Sequence, residues 1–407
     1  MKKHRFKSKK RIWIASIIFI SLCILFSFFM HEGKEVFAEE SDWTSSQQTA
    51  MEEMQNSVLE QLDKLDLSAL QAYVESLDGF MDESLEKRLL SYIKGEGVDY
   101  QSFGQALLDV FFATVQEVLP AFACITAISL LSGLLSTIKS ETNAKTTTEM
   151  MHLITYIGAL IPVLAIVTEC FSTSIRCVSA MHKQITLIFP LMLTLLSASG
   201  GTVTAAICKP AVGFFATTIV SIIQAVIFPV TILIVVFSIA GHLTKTLKIS
   251  KFTAFFKSIN KWIIGICASI FGLFFTVQGI TSATYDGIAR RAAKYAIGNG
   301  IPIVGGFLSG GFDLAVAGSV LIKNALGSMG IAMLLFVLFE PMLLLISVNL
   351  LMRLVAAITQ PFGDSRVSDF LGETAENLQY CMAGLLLTAF LYFLTLVVMI
   401  CCTEAII

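Results

Sequence analysis

The chain has 407 residues, 55% of them hydrophobic and 14% charged, with a mean hydropathy of +0.78 and a net charge of −2. Soluble globular chains carry about 25% charged residues, so an ordinary soluble protein of this length is excluded. Disorder is excluded too, because a chain this apolar would collapse rather than stay solvated, and a near-neutral balance offers no basic surplus for nucleic acid. The charges are uneven: residues 1–104 hold 29 of the 58 charged side chains and residues 105–407 hold the other 29. A short polar front therefore precedes a long membrane body.

Residues 1–11 carry seven Lys or Arg and no acid, Ile12 to Met30 is almost wholly apolar, and Val36-Phe37-Ala38 precedes Glu39-Glu40. This order matches a signal peptide cleaved after Ala38. Its apolar stretch exceeds the usual length of about 7–15 residues, so a retained anchor with the same orientation is the alternative. Either way residues 39–104 are expected to be exported. They carry 15 acids against four bases. Met51, Met54, Val58, Leu62 and Leu65, then Leu70, Val74 and Leu77, then Leu85, Leu89, Leu90 and Ile93 recur at helical spacing. Two or three amphipathic helices are predicted, too small for an independent core and expected to pack on the body or on a partner.

From residue 105 to 407 an all-α, polytopic integral membrane domain is predicted. Apolar runs long enough to span fall at 118–138, 153–171, 203–241, 262–280, 327–352 and 380–402. The run at 203–241 holds Pro210 and Pro229 and reads as two short segments or one kinked one. Residues 185–201 and 301–322 are apolar but short, with Ser199-Gly200-Gly201 at the end of one and Ser309-Gly310-Gly311 inside the other. They read as Gly-rich interrupted or re-entrant segments like the broken helices of transporters, or as sites of close small-residue packing. The total is six to nine spans. The loop 242–261 carries Lys245, Lys248, Lys251, Lys257 and Lys261 with no acid, which places it in the cytoplasm after three or five crossings. Its apolar residues among the lysines allow a plain orienting loop or a docking site for lipid headgroups or a partner.

Catalytic and metal signatures are missing from the sequence. The nine cysteines include no CxxC and read as small buried hydrophobes. The five histidines form no HExxH, and no phosphate-binding GxxxxGK[ST] loop occurs, so neither enzyme nor cofactor is expected. Glu169, Asp313 and Glu340 lie in or beside apolar runs, where an ionised group costs several kcal/mol unless paired or wetted. They are candidate conduit or coupling acids, or else satisfied structural groups. Pro341 is expected to free the carbonyl of Val337.

Four separated blocks, LMLTLLSASGGTVTAAICKP (191–210), TVQGITSATYDGIARRAAKYAIGNGIPIVGG (276–306), SVLIKNALG (319–327) and AAITQPFGD (356–364), resemble the stage III sporulation protein AE family of endospore-forming bacteria. The similarity runs from about residue 105 to the C-terminus. It implies a multi-pass protein of the mother-cell membrane around the engulfed forespore. It also implies partners: other products of the same operon, including a cytoplasmic ATPase, and a forespore-membrane protein, together forming a secretion-like channel that sustains late forespore development. A stand-alone secondary transporter of a small solute and a non-conducting scaffold are the alternatives.

Overall fold

A computed structural model of the chain describes residues 57–62, 64–77, 85–93, 100–139, 145–243, 249–273, 305–362 and 365–401. For 100–107, 132–139, 145–149, 151–152 and 305–315, and at several positions of 203–216, the backbone alone is described. The expected signal segment, Lys245, Lys248 and the block at 276–304 lie outside these residues.

Every described element is helical. After a helical stretch at 57–62 come α1 (Ser68–Glu75), α2 (Leu85–Ile93), α3 (Tyr100–Lys139), α4 (Lys145–Ala198) and α5 (Thr202–Ile222). A single π turn, Ile223–Ile227, joins α5 to α6 (Phe228–Leu243). Then follow α7 (Ser250–Leu273), α8 (Gly305–Phe362) and α9 (Ser365–Cys401). Among the described residues six helices are long and apolar enough to cross a membrane, which makes the chain an all-α polytopic membrane protein.

Two helices differ from the sequence expectation. The runs at 153–171 and 185–201 are one unbroken helix, α4, of 54 residues, which at 1.5 Å per residue is about 81 Å long. Likewise 301–322 and 327–352 merge in α8, whose 58 residues give about 87 Å. The two Ser-Gly-Gly tripeptides are therefore not equivalent. At Ser199-Gly200-Gly201 the chain breaks: Gly200 takes φ 93° and the Gly201 N–H donates to the Leu196 carbonyl at 2.9 Å. That is a helix stop in which a left-handed residue favours glycine. Ser309-Gly310-Gly311 lies inside α8, with no break in the backbone helix. The run at 203–241 is one continuous path through the π turn, and α7 starts at Ser250, well before the apolar run at 262, so that Lys251, Lys257 and Lys261 sit on its first turns.

The core is the contact of α4, α8 and α9, with α6 against α9 and α3 along α4 and α8. α8 runs antiparallel to α4, since Cys177 meets Val337, Gln184 meets Met333 and Met192 approaches Gly327. α9 runs parallel to α4, from Phe370 on Tyr156 through Cys381 on Ser174. Proline and small residues are absorbed by this packing. The Val337 carbonyl expected to be freed by Pro341 accepts the Cys177 thiol at 3.4 Å. The Ile227 carbonyl at the π turn accepts from Asn260 Nδ2 at 3.4 Å, and Asn260 also donates to Thr231 Oγ1 at 2.8 Å. The N-terminal helices bury Val58, Leu62, Leu70, Val74, Leu85 and Leu89, as their spacing predicts. Cys170, Cys177, Cys267 and Cys381 are buried, but Cys124 and Cys401 are exposed, against the reading of every cysteine as a buried hydrophobe.

Candidate functional site, a polar face on α4

Along α4 the outward residues change character. Ile154, Ile157, Ile161 and Leu164 face out first; Thr168, Glu169, Ile175 and Arg176 form a mixed stretch; then Ser179, Lys183, Thr186, Pro190, Thr194 and Ser197 face out. Their spacing of three and four keeps them on one side of the helix. The face is organised by specific bonds. Glu169 Oε1 accepts from Arg176 Nη2 at 3.0 Å and from Thr173 Oγ1 at 2.9 Å, and Arg176 also donates to Thr173 Oγ1 at 2.9 Å. Both charged side chains remain largely open, at 70% for Arg176 and 61% for Glu169. Gln224, in the π turn, reaches across to donate to Ser179 Oγ at 2.9 Å. Further along, Lys183 lies 5.0 Å from the Tyr73 ring centroid, and the Tyr73 hydroxyl donates to the Ala180 carbonyl at 3.4 Å. Burial raises the Tyr73 phenol above its ordinary value, which keeps it a neutral donor. α1 is thus clamped on the polar face.

The three sequence-selected acids do not form one site. Glu169 is paired. Glu340 is exposed on α8, one turn beyond the Val337 carbonyl that meets Cys177. Asp313 lies on the backbone of α8, its side chain outside the described residues. Of the basic loop, Lys251 and Lys261 are exposed, and Lys257 is 3.7 Å from Glu376 of α9. Beside that pair Ser238 donates to Glu373 Oε2 at 2.7 Å, in a shallow groove of about 310 Å³ that also holds His242 and Thr253. A second groove, of about 250 Å³, is apolar and lies between α4 and α6.

Lys323, within the SVLIKNALG block, is a functional residue that the sequence reading does not single out. It is fully buried in α8, and its ammonium donates to the Met399 and Ile400 carbonyls at 2.8 Å each, capping the end of α9. A lysine inside an apolar run, with no acid within reach of its sequence position, was the available signal.

A family model described as stage III sporulation protein AE matches residues 84–403. The chain belongs to the stage III sporulation protein AE family. The match starts one residue before α2, earlier than residue 105, from about which the sequence resemblance runs. The stage III sporulation protein AE of Bacillus subtilis (strain 168) is 27% identical over 323 residues, which cover 79% of this chain and 81% of the relative. No solved structure matches. Family membership and the six candidate spans make this a multi-pass membrane protein of sporulation.

Proposed function

We propose that the chain is a non-catalytic membrane component of a channel complex between mother cell and forespore, residing in the mother-cell membrane that surrounds the forespore. The observation that carries this reading is the packed interior of the described bundle between its exposed apolar faces: Ala159, Val163, Val348, Met352, Leu371 and Leu378 are all essentially fully buried where α4, α8 and α9 meet. A lone carrier needs a central cavity lined by polar groups near its substrate. The two grooves described above lie on the periphery instead. A conduit in this reading forms between subunits, with the α4 polar face turned toward the other components. The cytoplasmic lysines Lys251, Lys257 and Lys261 face an energy-supplying ATPase of the same operon.

The test is isolation of the tagged full chain from sporulating cells, with Thr186→Glu and Ser197→Arg beside the unaltered chain. Both variants are expected to accumulate normally in the membrane while losing co-isolated operon products and spore yield. Solute flux through proteoliposomes holding the isolated chain alone would instead establish a carrier.

A further inference from the structure

Among the described side chains, large apolar ones left exposed are confined to one zone of the bundle. In α4 they run from Met150 to Ile175, in α8 from Phe336 to Ile358, in α6 from Ile232 to Leu243, in α7 from Phe252 to Leu273 and in α3 from Leu108 to Leu131. Among the described residues the exception is Leu59, in the N-terminal segment. Cross-helix contacts show that these stretches lie side by side: Gly158 faces Ile128, Tyr156 bonds to Ile239, and Cys177 meets Val337. The α8 stretch measures about 33 Å at 1.5 Å per residue. A bilayer core is about 30 Å thick.

Beyond that zone the same helices continue with a different exterior. From position 176 to 198 of α4 the exposed residues are Arg176, Ser179, Lys183, Thr186, Pro190, Thr194, Ser197 and Ala198. Positions 316–335 of α8 and 388–400 of α9 have no exposed residue. Apolar residues there are interior, as in a water-soluble bundle. The acidic N-terminal helices dock on this part, through the Tyr73 hydroxyl on the Ala180 carbonyl and through Gln61, which accepts from Ser319 at 2.8 Å.

We infer that the bilayer embraces only the zone of exposed apolar residues, and that the remaining part of α4, α8 and α9, with α5, stands clear of the membrane as a water-facing head on the side of the N-terminal helices. The apolar residues at 185–201, 316–322 and 388–400 then fill the interior of the head and do not span. Six crossings result: α3, the first half of α4, α6, α7, the second half of α8, and the first half of α9. Three precede residue 242, so the lysine loop and the exported N-terminal helices fall on opposite sides. Arg366 comes out on the lysine side, and Arg353 lies near that end of the α8 stretch. Glu169 and Glu340 sit at the head-side edge of the zone, where hydration removes most of the cost of an ion in hydrocarbon.

The experiment labels protoplasts producing the full chain with a sulfonated, membrane-impermeant maleimide. Single cysteines replace Thr194 and Ser197 in the head, Ile157 and Leu354 in the zone, and Lys251 at the opposite end, in a background lacking the native cysteines. T194C and S197C are expected to label in intact protoplasts at least tenfold faster than I157C and L354C, and K251C only after permeabilisation. Equal rates at 194 and 157 would overturn the head, and so would labelling at 194 only after permeabilisation. Thr194→Lys against Ile157→Lys gives an independent reading. The first should leave the amount of membrane-inserted protein unchanged and the second should reduce it severalfold; an equal loss would put 194 in lipid. Neither outcome depends on whether the assembly conducts.

Discussion

In α4 the stretch from Leu153 to Phe171 and the stretch from Ile185 to Ala198 both read as apolar enough to lie in a bilayer. In the folded chain the first turns Ile154, Ile157 and Ile161 outward, whereas the second turns out Thr186, Thr194 and Ser197 and buries Ile188, Met192 and Leu196. Average hydropathy cannot separate a helix that is apolar on its outer face from one that is apolar on its inner face. The phase of the few polar residues can, because they occupy one side of the helix. The α4 polar face is thus the mark of the proposed head.

The two halves should differ most in their tolerance of added volume. A Cβ on Gly327, where α8 meets α4 and α9 in the head, would lie 2.5 Å from Ile400 Cγ1 and 3.2 Å from Met192 Cε. On Gly158, in the zone of exposed apolar residues, the nearest atom would be Ile128 Cγ2 at 3.7 Å, an ordinary contact. Gly327→Leu is expected to cost about 3 kcal/mol through overpacking. Gly158→Ala should be neutral or stabilising by up to about 1 kcal/mol, because alanine loses less freedom in a helix. Thermal unfolding of the purified chain in detergent measures both. Equal losses would mean that the two halves are packed alike.

Next in size is the buried lysine of the head. Lys323→Met keeps the volume but leaves the Met399 and Ile400 carbonyls without their donor, at an expected cost of about 2 kcal/mol. The early loss should be local. Proteolysis in detergent is expected to release the end of α9 before α3 or α4 is cut, whereas a uniform loss of protection would make Lys323 a general core residue. A smaller effect is expected at the docking of α1. Lys183→Met removes the cation from the Tyr73 ring, worth about 0.5–1 kcal/mol. The accelerated cleavage should fall between α1 and α2, with the membrane helices unaffected.

Much of the fold was legible for local reasons. Apolar spacing foretold the buried sides of the N-terminal helices, and Pro341 foretold a free carbonyl at Val337. What sequence could not supply was the donor, Cys177, which lies 160 positions away in the chain and meets Val337 only through the antiparallel register of α4 and α8. The same limit hid the difference between the Ser-Gly-Gly tripeptides. Glycine permits a left-handed turn without requiring one, so Gly200 breaks its helix while Gly310 and Gly311 continue theirs. Of the site, Glu169 was visible as an acid in an apolar run, and its partner was visible as well, seven residues on. Pairing the two required knowing that α4 continues as helix through Arg176, since a span ending at 171 would have left Arg176 in a loop.

The smallest expected effect on stability is at that pair, where the two regions of α4 meet. Glu169 and Arg176 are both more than half exposed, and open ion pairs contribute about 0–1 kcal/mol. Arg176→Gln should therefore leave unfolding within about 0.5 kcal/mol of the unaltered chain, and Glu169→Gln likewise. Their double variant should add without further loss, since little coupling is held between exposed groups. Spore formation is the discriminating readout. If the polar face contacts other components or borders a conduit, Arg176→Gln should lower spore yield at unchanged protein level, and Arg176→Lys should restore part of it by keeping the charge. Wild-type yield from both neutral variants would show that the pair serves only to hold a charged edge at the membrane boundary. A collapse of protein level in either would show that these charges lie in hydrocarbon, where losing one partner leaves the other uncompensated, and the boundary would have to move past residue 176.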